Sequence, residues 1–61
     1  MRETVLARGA METRVLVTTP ETGTLLLDEE EEVLESHEED RHAAILERLL
    51  AEGWEVEEDG P

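Results

Sequence analysis

The sequence of 61 residues contains no cysteine, lysine, asparagine, glutamine, phenylalanine or tyrosine. Each absence excludes something. Without cysteine there is no disulfide to staple a small fold and no thiolate to hold a metal. Without lysine, arginine is the only permanent base, and five arginines face eighteen acids for a net charge of −13. Nucleic acid and anionic membrane surfaces repel such a chain. Loss of the amides suits a heat-adapted source, and GC-rich coding explains it equally well. The four glycines are isolated, so there is no glycine-rich phosphate loop. No stretch approaches the roughly 18 apolar residues of a membrane span, and "MRETVLARGA" lacks the apolar core of a secretory leader. These readings place the protein in the cytoplasm.

What is present is short and uneven. Residues 1–61 make one domain. A chain of this size buries only about 60% of the surface that its unfolded form exposes, so a lone core is marginal. Oligomerisation is the remaining way to enlarge it, and a homodimer is expected first. Residues 1–20 carry three arginines against two glutamates, whereas residues 21–61 carry two arginines against sixteen acids. The first third is thus nearly neutral and the rest strongly acidic.

"TRVLVTTPETGTLLLD" is the clearest local signal. Two β-rich runs flank Pro20-Glu21-Thr22-Gly23, where proline presets φ and glycine tolerates a positive φ. A hairpin with a loop of four or five residues is predicted. Val15 and Val17 share one face of the first strand. Leu25, Leu26 and Leu27 make both faces of the second apolar, as expected of a central strand. Val15, Val17, Leu25, Leu26 and Leu27 are therefore the candidate self-association residues. "ETVLARG" is either a third strand turning at Arg8-Gly9-Ala10 or part of one long strand, residues 4–18, bulged at Gly9.

"SHEEDRHAAILERLLAEGW" predicts the main helix over residues 37–52. Ser36 and Glu39 match a capping box, and Glu38, Glu39 and Asp40 suit the first turn. His42, Ile45, Leu46, Leu49 and Leu50 follow helical spacing. Gly53 supplies a left-handed C′ residue that lets Trp54 pack back on Leu49. "WEVEE" then gives a short strand over residues 54–58, with Trp54 and Val56 on one face, and "DGP" a frayed end. The expected core is Ile45, Leu46, Leu49, Leu50, Trp54 and Val56.

Residues 28–36 are a connector with three readings: one or two helical turns capped by Asp28, a strand extension, or an uninterrupted helix from Glu29 to Glu52. Glutamate is weak in strands, which favours the helical turns. Glu29, Glu30, Glu31, Glu32 and Glu35 form the candidate surface for a basic partner.

The expected architecture is α+β: a small antiparallel sheet of three to four strands packed against one principal helix, with residues 3–27 supplying strands and hairpin. His37 and His42 among acids suggest a metal site. Yet residues five apart on a helix diverge by roughly 140°, which leaves only Glu38 and His42 as a chelating pair. No metal or other cofactor is expected. No nucleophile–base–acid arrangement stands out, and Ser36 is better used as a cap. The reading is a small acidic non-enzymatic protein that self-associates. One alternative is an acidic inhibitor that imitates nucleic acid in a basic groove, binding no nucleic acid itself. The other is a weak metal-binding or hydrolytic protein using His37, His42 and nearby carboxylates.

Overall fold

Gly9 and Gly23 divide the first half of the chain into three strands, each glycine holding a positive φ where the chain reverses. The strands are β1 (Arg2–Arg8), β2 (Glu12–Thr19) and β3 (Gly23–Leu27). A computed structural model describes residues 1–61. It adds β4 (Val33–His37), helix α1 (His42–Ala51) and β5 (Glu55–Gly60). The fold is α+β, and its single antiparallel sheet has five strands in the order β4-β3-β2-β1-β5. The chain meanders through four strands, and the helix then carries it to the far edge, where β5 pairs with β1.

The sheet exceeds the expected three to four strands because the acidic segment contains β4. Four glutamates do not enter that strand: Glu29–Glu32 lie in the loop that joins β3 to β4. Asp28 shapes the loop. Its Oδ1 accepts the backbone N–H groups of Glu30 at 2.8 Å and Glu32 at 2.9 Å, and Glu31 takes a left-handed φ of 64°. Like charges thus sit on a turn, where they splay into solvent, and not on a ladder. Neither the short helix over residues 28–36 nor the long helix from Glu29 forms.

The main helix is shorter than residues 37–52. Ser36 pairs with Leu25 in the sheet, so it cannot cap, and α1 begins at His42. Asp40 serves the first turn instead, accepting the His42 N–H at 3.0 Å. The C-terminal end follows its expected form. Gly53 (φ 96°) directs its N–H to the Leu50 carbonyl, and the Trp54 N–H reaches Leu49 at 3.0 Å, which is a Schellman motif. The ten-residue helix is not long and apolar enough to cross a membrane.

The core lies between α1 and one sheet face: Leu6, Leu16, Leu26, Ile45, Leu49 and Trp54, with Leu46 half-buried beside it. Two expected core residues lie outside. Leu50 is 48% exposed because it stands about 100° round the helix from Leu49, off the buried stripe. Val56 is 42% exposed because β5 is an edge strand. Leu26 belongs to the core, not to a self-association surface. The carboxyl end is not frayed: Asp59 pairs with Arg2 and accepts the Thr4 hydroxyl at 2.9 Å.

The two positive-φ glycines make a test. A Cβ at Gly23 would lie 2.0 Å from the His37 carbonyl oxygen, whereas nothing stands within 4 Å of one at Gly9. Gly9→Ala should cost only the left-handed strain, about 1 kcal/mol. Gly23→Ala should cost roughly 4 kcal/mol or more, because β4 must also move. Urea unfolding of both variants checks the contrast, which equal losses would contradict.

Candidate functional site

The helix gives the sheet two different faces. On the covered face, Leu6, Leu16 and Leu26 form the apolar centre. Beside them a polar chain runs through the interior. His42, only 2% exposed, sits between two threonines: its Nε2 lies 2.8 Å from Thr4 Oγ1 and its Nδ1 2.9 Å from Thr18 Oγ1. Thr4 donates to Asp59, and Thr18 meets Thr24 at 2.9 Å. Thr24 accepts the Arg41 N–H at 2.9 Å and reaches the Glu39 carbonyl at 3.2 Å. Strands β1, β2, β3 and β5 are thereby tied to the first residue of the helix. No buried side-chain nitrogen or oxygen lacks a partner.

Donor counting fixes how this chain works. The carboxylate of Asp59 only accepts, so the single Thr4 proton goes there and His42 Nε2–H must donate to Thr4. If Thr24 gives its proton to Glu39, Thr18 gives its own to Thr24, and Nδ1 must donate as well. Making every bond at once therefore requires the imidazolium. Burial opposes that charge, with the nearby Arg2 guanidinium acting the same way, and together they lower the His42 pKa against the opposing pull of Asp59 and Asp40. The neutral ring keeps Nε2–H on Thr4, accepts from Thr18 and gives up the long Thr24–Glu39 bond. Thr4 and His42 have the contact of a nucleophile and its base. Thr4, however, is fully buried and spends its proton on Asp59, so no substrate reaches it.

The metal candidates do not converge. Glu38 precedes the helix, so the four-residue pairing with His42 is not made. His37 ends β4, with its Nε2 3.3 Å from Glu35 Oε1. No three potential ligands come together anywhere in the chain.

The acidic candidates divide. Glu29 pairs with Arg14 at 3.2 Å. Glu35 receives Arg48 and also His37, and the Arg48 hydrogen bond is the main cause holding its carboxyl below the usual range. Glu30, Glu31 and Glu32 have no basic partner and point from an exposed loop. They form a hairpin tip, not a row of carboxylates along a helix.

No element covers the opposite sheet face. Register puts Val5, Val15, Leu27 and Val33 in one row across four strands, and Val17 beside Leu25 in the next. Val5, Val15, Val17, Leu25 and Leu27 are half-buried, and Val33 is exposed. Four of these six, Val15, Val17, Leu25 and Leu27, belong to the self-association set expected from the sequence; Val5 and Val33 join them only through the register. Three acids on this face, Glu3, Glu55 and Glu58, come from β1 and β5 at one edge.

Comparison with known proteins gives no match to a protein-family model, to a curated protein or to a solved structure.

The buried histidine generates a pH test. Folded His42 resists protonation, whereas the unfolded side chain titrates near 6.5. Below that value the unfolded chain takes up a proton that the folded chain refuses, so stability falls as pH drops from about 7.5 to about 5.5. The lowered carboxyls of Glu12, Glu35 and Asp59 act at lower pH, leaving this window to the histidine. Urea midpoints of the native protein and His42→Leu, taken at both ends of the window, should show the loss only in the native protein. A matching loss in the variant would contradict the assignment.

Proposed function

We propose that this chain is a non-enzymatic interaction module that pairs with a second copy of itself through the open sheet face. The supporting observation is the apolar ladder Val5–Val15–Leu27–Val33, flanked by Val17 and Leu25, on a face that nothing in the chain covers. Stacking two such faces about 10 Å apart gives a sandwich with both helices outward. The pairing removes from water side chains that the single chain leaves half-exposed, at about 25 cal/mol per Å² of apolar surface.

Charge selects the arrangement. A two-fold axis parallel to the strands lays the acidic β5 edge of one copy over the β4 edge of the other. An axis across the strands would instead stack Glu3, Glu55 and Glu58 on their own copies, so the first is favoured. Two chains at −13 each still repel at long range. Salt screens that repulsion without weakening apolar contact, so association should tighten as salt rises.

A second reading, capture of a basic partner, is supported by the unpaired Glu30, Glu31 and Glu32 on their fixed loop. It predicts the reverse, binding that weakens with salt.

Light scattering after gel filtration, at low and high salt, separates these. A dimer that persists or grows with salt is expected. Val17→Glu, which places a charge in the middle of the face, should give a folded monomer. A native monomer at high salt and high concentration would overturn the proposal, as would a dimer indifferent to Val17→Glu.

A further inference from the structure

One end of the helix–sheet layer opens into a recess of about 400 Å³, away from the open sheet face. Arg8, Arg14 and Arg48 line it, with Leu26, Leu34 and Trp54 supplying apolar wall. Three of the five arginines therefore gather at one place, against two lining acids, Glu35 and Glu52. The guanidinium carbons of Arg8 and Arg14 lie 4.6 and 4.7 Å from the centroid of the Trp54 ring, within cation–π range.

Each guanidinium already holds a carboxylate, and the three contacts differ. Arg8 grips Glu12 through two bonds of 3.2 Å inside a hairpin. Arg48 holds Glu35, which is fixed on β4. Arg14 meets Glu29 through one bond of 3.2 Å, and Glu29 belongs to the exposed acidic loop. The Glu29 side chain is 52% exposed, whereas that of Arg14 is 21% exposed. The weakest grip is thus on the most accessible acid. Trp54 is 4% exposed, and its indole N–H has no partner in the protein, although it is not sealed from solvent. A recess lined by a half-buried arginine, leucine side chains and a tryptophan with an unpartnered N–H suits an anion that carries an apolar body.

We propose that this recess binds a small carboxylate carrying an apolar body, which displaces Glu29 from Arg14. The ligand carboxylate takes over Arg14 and accepts from the Trp54 N–H, while its apolar body lies against Leu26 and Leu34. Carboxylate is favoured over phosphate because all three guanidiniums already hold carboxylates and the leucine walls suit a hydrocarbon. Entry requires only that the exposed Glu29 side chain leave Arg14. No bond is made or broken.

Trp54 is the only aromatic residue, so its fluorescence reports this recess without a label. Hexanoate is the probe, with inorganic phosphate as an anion lacking an apolar body and hexanol as a body lacking charge. Hexanoate should change the emission saturably, and the other two should not. Glu29→Gln, on an exposed loop where folding is insensitive to it, should tighten hexanoate about two- to fivefold, the worth of an exposed ion pair. Arg14→Gln should weaken it roughly tenfold or more. No saturable response to hexanoate in either the native protein or Glu29→Gln would overturn the site. An equal response to hexanol would reduce it to apolar adsorption, and an equal response to phosphate would remove the apolar contact. Unchanged affinity in Glu29→Gln would overturn the role given to Glu29.

Discussion

A single helix of ten residues can cover only one face of a five-stranded sheet. The rest of the structure follows from that shortfall. Alternation along each strand sends Leu6, Leu16 and Leu26 under the helix and leaves Val5, Val15, Val17, Leu25 and Leu27 on the other side. Both sets are aliphatic, a pattern shared with sheets that have two inner faces. The chain can close one of them. Size makes the remainder consequential: six side chains form the core, and a domain of this length has little stability to spare.

The polar chain around His42 gives the closed face its specificity. Apolar contact between the leucines and α1 sets how much surface is buried but tolerates sliding. The hydrogen bonds from His42 to Thr4 on β1 and Thr18 on β2 do not, because a displaced helix would leave them unmade in a dry interior. Thr24 on β3 and Asp59 on β5 extend that control to four strands. At the opposite end, Trp54 closes the layer beneath Arg8 and Arg14.

Much of this was legible in the sequence where a local chemical reason decides the conformation. Pro20 to Gly23 marks a hairpin, and the LLAEGW stretch writes out a helix end that closes as a Schellman motif. The acidic stretch was not legible, because two local signals misled together. Glutamate propensity pointed to helix, and Ser36 with Glu39 imitated a capping box. The sheet overrode both. The β3 strand needs a second neighbour, and Val33 to His37 supply it once Asp28 has folded the four glutamates into a turn. His42 was placed correctly on the buried stripe, but its partners were not foreseeable. Thr4 and Thr18 lie 38 and 24 positions away, and only strand register brings them together. The arginine recess was hidden for the same reason, since Arg8, Arg14, Arg48 and Trp54 belong to four separate elements or ends of elements.

The acid excess fits this division of labour. Acids occupy the β3–β4 loop, the segment before the helix and the β5 edge, where a charged edge also discourages unwanted strand addition. They stay off the middle of the open face. The proposal gives the two aliphatic faces different fates, one closed by the helix and one by a second copy. Methyl NMR through a dilution series tests it most directly. The account predicts that the methyls of Val5, Val15, Val17, Leu25 and Leu27 shift with concentration while those of Leu6, Leu16 and Leu26 hold still. Shifts confined to the core leucines, or no concentration dependence on either face, would contradict it.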